Sequence, residues 1–311
     1  MTHIDAPLTN LSVAVMQSPN NFVADKVFPS IGVDKQSDKY FVFTKEDFMR
    51  DQMARRGAGE ESAGTGYTLS NDSYYCDVFA LHKDISDYDR ANTDSPLSQD
   101  GAASKLLAHA AVIRKEKSFV DTFFTTGVWG TSATPSVQWS DQLGSDPLND
   151  VETAKSAILS KTGIEANTLL LGYDVFRQLK HHPDIVDRIK YTSERSVSED
   201  VLARLFGVDR VLVAKAVMDS GSEGKSASSV AFIAGKHALL LHVAPNPGLE
   251  VATAGLTFSW TGVNGGMNNL GTVVRKMRMD TRLSDRIEIE CAFDMRVISS
   301  ELGYFFSSAA A

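Results

Sequence analysis

The chain has 311 residues, enough for one large domain or two smaller ones with a full hydrophobic core. Its 31 Lys plus Arg against 39 Asp plus Glu leave a net charge of −8, which excludes a broad electrostatic clamp on nucleic acid. Its two cysteines, Cys76 and Cys291, lie far apart and form no CxxC pair, which excludes a disulfide framework or zinc ribbon and fits a reducing compartment.

Residues 1–38 open without the basic region and apolar run of a signal peptide. Pro7, Pro19 and Pro29 interrupt any sustained periodicity, so this stretch reads as an extended arm, with Phe22, Val23, Val27 and Phe28 as its apolar anchors. Residues 39–85 read as a hairpin with a very long tip. One arm is 40–44, the other 74–81, and both are rich in aromatic and β-branched residues. The tip, from Arg50 to Gly66, is polar, carries both charge signs and has four glycines. Connections of that length are uncommon in a compact domain, and this one has little apolar surface to offset its ordering entropy. Another chain is expected to order it, with Arg50, Arg55 and Arg56 against Glu60 and Glu61 setting register.

A turn at 92–96 leads to one long helix over about 102–125, roughly 36 Å at 1.5 Å per residue. Leu106, Ala110, Ile113, Val120 and Phe124 recur at helical spacing, and Arg114, Lys115, Glu116 and Lys117 read as a solvated turn. The stretch 127–144, with Trp129 and Trp139, reads as an ordered loop. Asp146 as cap, Pro147 at the first position and Gly163 as stop delimit the next helix, with Leu148, Val151, Ala154 and Ile158 on one face. A buried strand at 168–171, a helix from Asp174 toward His181, and a helix with Ser196 and Glu199 as a capping box and Gly207 beyond its end follow. Strands at 210–217 and 230–243 complete an α/β mixture. The apolar stretch 230–244 is broken by Lys236, His237 and His242 and is too short to span a bilayer. From Val273 to Phe306 the chain returns to strands. Ile287, Ile289, Cys291 and Phe293 alternate there with polar residues, the pattern of a half-buried antiparallel sheet.

Chemical motifs are weak throughout. Residues 219–226 end like a phosphate loop, but Asp219 stands in place of the first glycine and a strand follows in place of a helix, so a surface hairpin turn is the better reading. His181, His182 and Asp184 are close in sequence, yet adjacent histidines diverge at a helix end and do not share a metal readily. His237 and His242 fall on opposite faces of a strand. No catalytic, cofactor or metal site is expected; a Ser/Lys dyad built from distant positions is the one hydrolase alternative that spacing leaves open. Arg114, Lys115 and Lys117 are candidates for phosphate contact or, more simply, a solvated face.

The order of parts, namely arm, extended hairpin, long helix, α/β region and returning strands, resembles the major capsid protein of tailed double-stranded DNA bacteriophages, with the α+β Hong Kong 97-type fold. Local stretches carry the likeness: Val23-Ala24-Asp25-Lys26-Val27-Phe28-Pro29, Thr168-Leu169-Leu170-Leu171-Gly172, residues 205–213, and the segments 282–288 and 294–298. The resemblance implies an amino-terminal arm (1–38), an extended loop (39–85), a peripheral domain with its spine helix (86–146) completed by returning strands (271–311), and an axial domain (147–270). It implies intersubunit contacts through Phe22, Phe28, Tyr40, Phe41, Arg50, Arg55, Arg56, Glu60, Glu61, Tyr74 and Tyr75.

Hexamers and pentamers of one chain would then enclose packaged double-stranded DNA, bound without sequence preference, in a virion capsid assembled in host cytoplasm. A separate scaffolding protein and a portal are the implied partners, with the presence of a decoration protein left open by the sequence, and with no membrane and no cofactor. Some members of that family join subunits by a Lys–Asn isopeptide bond. No lysine lies between Lys45 and Lys83 here, so charge and strand contacts are the expected link. The shell of an encapsulin-type cellular nanocompartment is the alternative within the same fold.

Overall fold

The structure, a computed structural model, describes residues 17–43, 45–92, 98–190, 197–221, 229–246, 248, 251–262 and 272–311. In chain order its elements are α1 (Ala24–Val27), β1 (Ser30–Val33), β2 (Ser37–Phe43), α2 (Lys45–Met49), β3 (Leu69–Tyr75), β4 (Asp77–Ser86), α3 (Asp87–Ala91), α4 (Gln99–Phe123), β5 (Thr131–Ala133), α5 (Pro147–Thr162), β6 (Thr168–Gly172), α6 (Tyr173–Leu179), α7 (Pro183–Ile189) and α8 (Glu199–Phe206). The strands β7 (Arg210–Ala214), β8 (Val217–Asp219), β9 (Val230–Phe232), β10 (Ala238–Leu241), β11 (Gly255–Trp260), β12 (Thr272–Met279), β13 (Ser284–Val297) and β14 (Gly303–Phe306) follow.

Two five-stranded sheets organise these elements. In the first, β13 pairs antiparallel with β4 along 284–293, with β12 along 284–291, and with β11 along 293–297; β1 lies parallel to β11. The alternation read from the sequence places Ile287 and Ile289 on the face covered by α4, where they pack with Ile85, Ala103 and Leu107. The second sheet has the order β5-β14-β10-β6-β7. Leu169–Leu171 on β6 and Leu239–Leu241 on β10 are fully buried, as expected of central strands. The helix α5 has the predicted cap, Asp146 accepting the N–H of Asn149 at 3.0 Å, and the predicted buried face of Leu148, Val151, Ala154 and Ile158. Gly163 and Gly207 end α5 and α8 in the left-handed region (φ 69° and 60°), where a side chain would be strained.

Several expectations are corrected. The arm 74–81 is two strands, because Cys76 is buried at the crossing point and its N–H bonds the carbonyl of Gln36. Residues 69–75 therefore pair with β2, while 77–86 leave for β13. The long helix begins three residues earlier, capped by Ser98, and its buried stripe is Ala103, Leu107, Glu116, Phe119, Val120 and Phe123, while Leu106 points outward. Ser198 caps α8 through the N–H of Val201; Ser196 lies outside the described residues. The stretches 210–217 and 230–243 are each broken in two, with β8 and β9 forming a small hairpin of their own. The last strand, β14, joins β10 in the second sheet instead of the other returning strands, because Phe305 and Phe306 complete the core there.

The main core runs from the arm to the second sheet. Val23, Ala24, Val27 and Phe28 enter it beside Phe119, Phe123, Trp129 and Trp139. Both tryptophans in the 127–144 loop are anchored, Trp129 Nε1 donating to the carbonyl of Phe123 and Trp139 Nε1 to Asp150, each at 2.8 Å. Burying Val23, Val27 and Phe28 is worth roughly 1.5–3 kcal/mol each, so the arm is built into the core at one end.

Candidate assembly surfaces

The hairpin separates into a base that packs on its own chain and a tip that does not. At the base, the Tyr74 ring stacks on Phe258 with centroids 4.6 Å apart, and Tyr40 lies 5.4 Å from the same ring. Tyr40 donates its hydroxyl to Asp72 at 3.0 Å, and burial together with that carboxylate raises its pKa. Tyr40 and Tyr74 are therefore buried within the subunit, as are Phe22 and Phe28. The other residues proposed for contact, Phe41, Arg50, Arg55, Arg56, Glu60, Glu61 and Tyr75, are exposed.

Every residue from Met53 to Tyr67 is exposed, with Met53 at 95 %. Local polar bonds shape this tip without burying it. Arg56 Nε donates to the carbonyl of Glu60, Gly57 N–H donates to the Glu60 carboxylate at 3.2 Å, and Thr68 N–H donates to Asp47 at 2.7 Å. Phe41, Phe48 and Met53 are large apolar side chains left exposed along the hairpin. An apolar surface lies between α4 and β4, lined by Val78, Phe79, Leu81, Ala110, Ala111 and Ile289, with Val78 and Leu81 half exposed.

The base of the first sheet is held by charge. Asp285 accepts Arg90 at 2.6 Å and Arg278 at 3.2 Å and lies 3.3 Å from Lys276, and Asp84 takes Arg286 at 2.7 Å. Hydrogen bonds from these arginines hold both carboxyls down at about 2. The basic turn of α4 has intrachain partners: Arg114 lies over the Phe79 ring at 4.6 Å, Lys115 meets Asp25 and Ser30, and Lys117 pairs with Asp121. Those partners leave little free charge for phosphate.

A serine and a histidine do meet, although as no Ser/Lys dyad. Ser145 Oγ lies 3.0 Å from Nε2 of fully buried His182, whose Nδ1 is 3.6 Å from Asp184. The serine proton, however, goes to the carbonyl of Asp141 at 2.6 Å, so its oxygen accepts from the imidazole. A nucleophile needs the opposite polarity. Among the described residues no group of three or more His, Cys, Asp or Glu is placed to hold a metal ion. Asp219 accepts the N–H groups of Gly221 and Ser229 at the root of the β8–β9 hairpin, and Lys225 and Ser226 lie outside the described residues.

No protein-family model matches the chain. The major capsid protein of Burkholderia phage BcepMu is 26 % identical over 217 residues, 69 % of each chain. That of Pseudomonas phage JBD67 is 25 % identical over 321 residues, covering 99 % of this chain and 97 % of the relative. Among solved structures, a phage-related protein from Bordetella bronchiseptica aligns with a TM-score of 0.71 at 21 % identity, covering 99 % and 98 % of the two chains. The capsid of cyanophage P-SCSP1u aligns at 0.62 with 9 % identity over 100 % and 93 %. The encapsulin of Synechococcus elongatus aligns at 0.57 with 12 % identity over 99 % and 96 %. The fold is thus the α+β Hong Kong 97-type capsid fold, which phage capsids and encapsulins share. Within that fold the chain is a homologue of phage major capsid proteins.

Proposed function

We propose that the chain is the major capsid subunit of a tailed double-stranded DNA phage, assembling as hexamers and pentamers into an icosahedral shell around the packaged genome. The observation that carries this reading is the hairpin: its base is locked onto Phe258, and its tip has no core of its own. In a closed lattice each copy supplies the surface that another copy lacks. The first sheet with α4 serves as the peripheral domain, and the second sheet with α5 to α8 as the axial domain. The exposed residues Phe41, Arg50, Arg55, Arg56, Glu60, Glu61 and Tyr75 form the contact set. A separate scaffolding protein and a portal complete the particle, which is built in host cytoplasm. Electron microscopy of the purified protein with its scaffold tests this: shells or capsomers are expected, and a persistent monomer contradicts it.

The fold shared with the Synechococcus encapsulin supports a second reading, a nanocompartment shell. The contents of purified shells separate the two. Double-stranded DNA is expected for the phage protein and a cargo enzyme for the compartment.

A further inference from the structure

The spine helix α4 carries a carboxylate on its buried face. Glu116 is 1 % exposed and sits one turn before Phe119 and Val120. Its Oε2 accepts the backbone N–H of Val23 at 3.0 Å and of Ala24 at 2.9 Å. Its Oε1 is buried with no hydrogen-bond partner. Among the described residues no cation pairs with it, although Lys115 is next in sequence, because Lys115 turns to Asp25 and Ser30. An ionised carboxylate with one oxygen buried and unsolvated is costly, and two backbone donors offset only part of that cost.

The two donors stand where the arm enters the core. From there Val27 and Phe28 are fully buried, with the Phe28 ring 4.6 Å from Phe123 and 5.2 Å from Phe119. Other polar and titratable groups lie on the elements around it. Asp25 and Lys26 on α1 act on the carboxylate with opposite signs, Arg210 on β7 bonds the carbonyl of Lys26 at 3.0 Å, and His109 on α4 lies edge-on to Phe22.

We propose that Glu116 is a proton-operated latch between the arm and the spine helix: neutral, it holds residues 22–28 down, and ionised, it loosens them. Burial pushes the carboxyl up to about 7 from an ordinary 4.5, against the two backbone bonds that pull it down. Lifting the arm would rehydrate the group and return it toward the ordinary value. An acid whose docked value is raised contributes most below the undocked value, and that contribution is lost as pH rises through the docked value. Docking therefore weakens between about pH 4.5 and 7. From pH 5.5 to 8.0 the docking equilibrium changes by about 30-fold, from the ratio of the two proton-binding functions. The latch lies within one chain and does not rest on shell assembly.

Hydrogen–deuterium exchange of the full unassembled chain at pH 5.5 and 8.0, corrected for the intrinsic pH dependence of exchange, tests the latch. Peptides spanning 22–28 are expected to open about 30-fold more at pH 8.0 in the wild type, and by less than about threefold in Glu116→Gln, which keeps the shape and one acceptor. His109→Gln should behave as the wild type. A wild-type ratio near one overturns the proposal, whether or not Glu116→Gln folds. So does an undiminished ratio in Glu116→Gln, or a ratio abolished by His109→Gln.

Discussion

Replacing Phe28 by alanine removes the ring that joins the arm to the rest of the core. Phe28 is fully buried, its ring lies 5.2 Å from Phe119, 4.6 Å from Phe123 and 6.2 Å from Trp129, and its far wall is the backbone of Gly255. Truncating a buried phenylalanine costs about 3–5 kcal/mol, depending on how far the site collapses. Three aromatic rings and a strand backbone do not fill the space easily, so a loss of about 4 kcal/mol is expected. That is a large share of the roughly 5–15 kcal/mol that holds a typical protein folded.

Equilibrium urea unfolding of the unassembled subunit, followed by tryptophan fluorescence, should show a lower midpoint with an unchanged slope. Gly255→Ala attacks the same contact from the other side, since its new Cβ would fall 2.3 Å from the Phe28 ring. Overpacking of that kind costs about 1–3 kcal/mol. The two changes share one space, so the double variant should lose less than the sum of the singles. A loss below about 1 kcal/mol for Phe28→Ala, or strict additivity, would refute the assignment of the arm to the core.

Other consequences follow from the same geometry. Asp84 and Asp285 are held at about 2, so the stability they contribute is present above about 3.8 and is lost as pH falls from there toward 2; Asp285→Asn should flatten that acid limb in a series of thermal midpoints. Burial pushes the Cys76 thiol up to about 12 and raises that of Cys291. A thiol reagent at pH 8 should therefore label neither cysteine until urea unfolds the chain, and prompt labelling of folded protein would contradict the packing. Replacing residues 51–66 by a short Gly-Ser linker should change the unfolding free energy of the unassembled subunit by less than about 0.5 kcal/mol, because nearly all of those side chains are exposed, yet abolish shells in an assembly assay.

Local patterns in the sequence were legible wherever one element carries its own signal. Asp146, Pro147 and Gly163 bound α5, and the alternation from Ile287 to Phe293 marks a half-buried strand, because caps and pleats depend on neighbours in sequence. What the patterns leave open is the partner. The apolar run across Cys76 reads as one strand, although its two halves pair with β2 and β13. The aromatic run ending at Phe306 reads as one more of the returning strands, although the space it fills lies beside β10 in the second sheet.

Glu116 is the sharpest case. Between Lys115 and Lys117 it reads as solvated, but its spacing to Phe119, Val120 and Phe123 puts it on the buried face. The donors that make this tolerable come from Val23 and Ala24, more than ninety residues away. Of the proposed contact set, the tip charges were recognisable from composition. The burial of Tyr40 and Tyr74 required the position of Phe258, which no local pattern reveals.

Cryo-electron microscopy of assembled particles tests the central claim most directly. The account predicts closed shells of hexamers and pentamers in which residues 51–66 of each copy lie on a neighbouring copy, with Arg55, Arg56, Glu60 and Glu61 at the contact. A protein that stays monomeric under assembly conditions, or a shell in which that tip touches only its own chain, would contradict it.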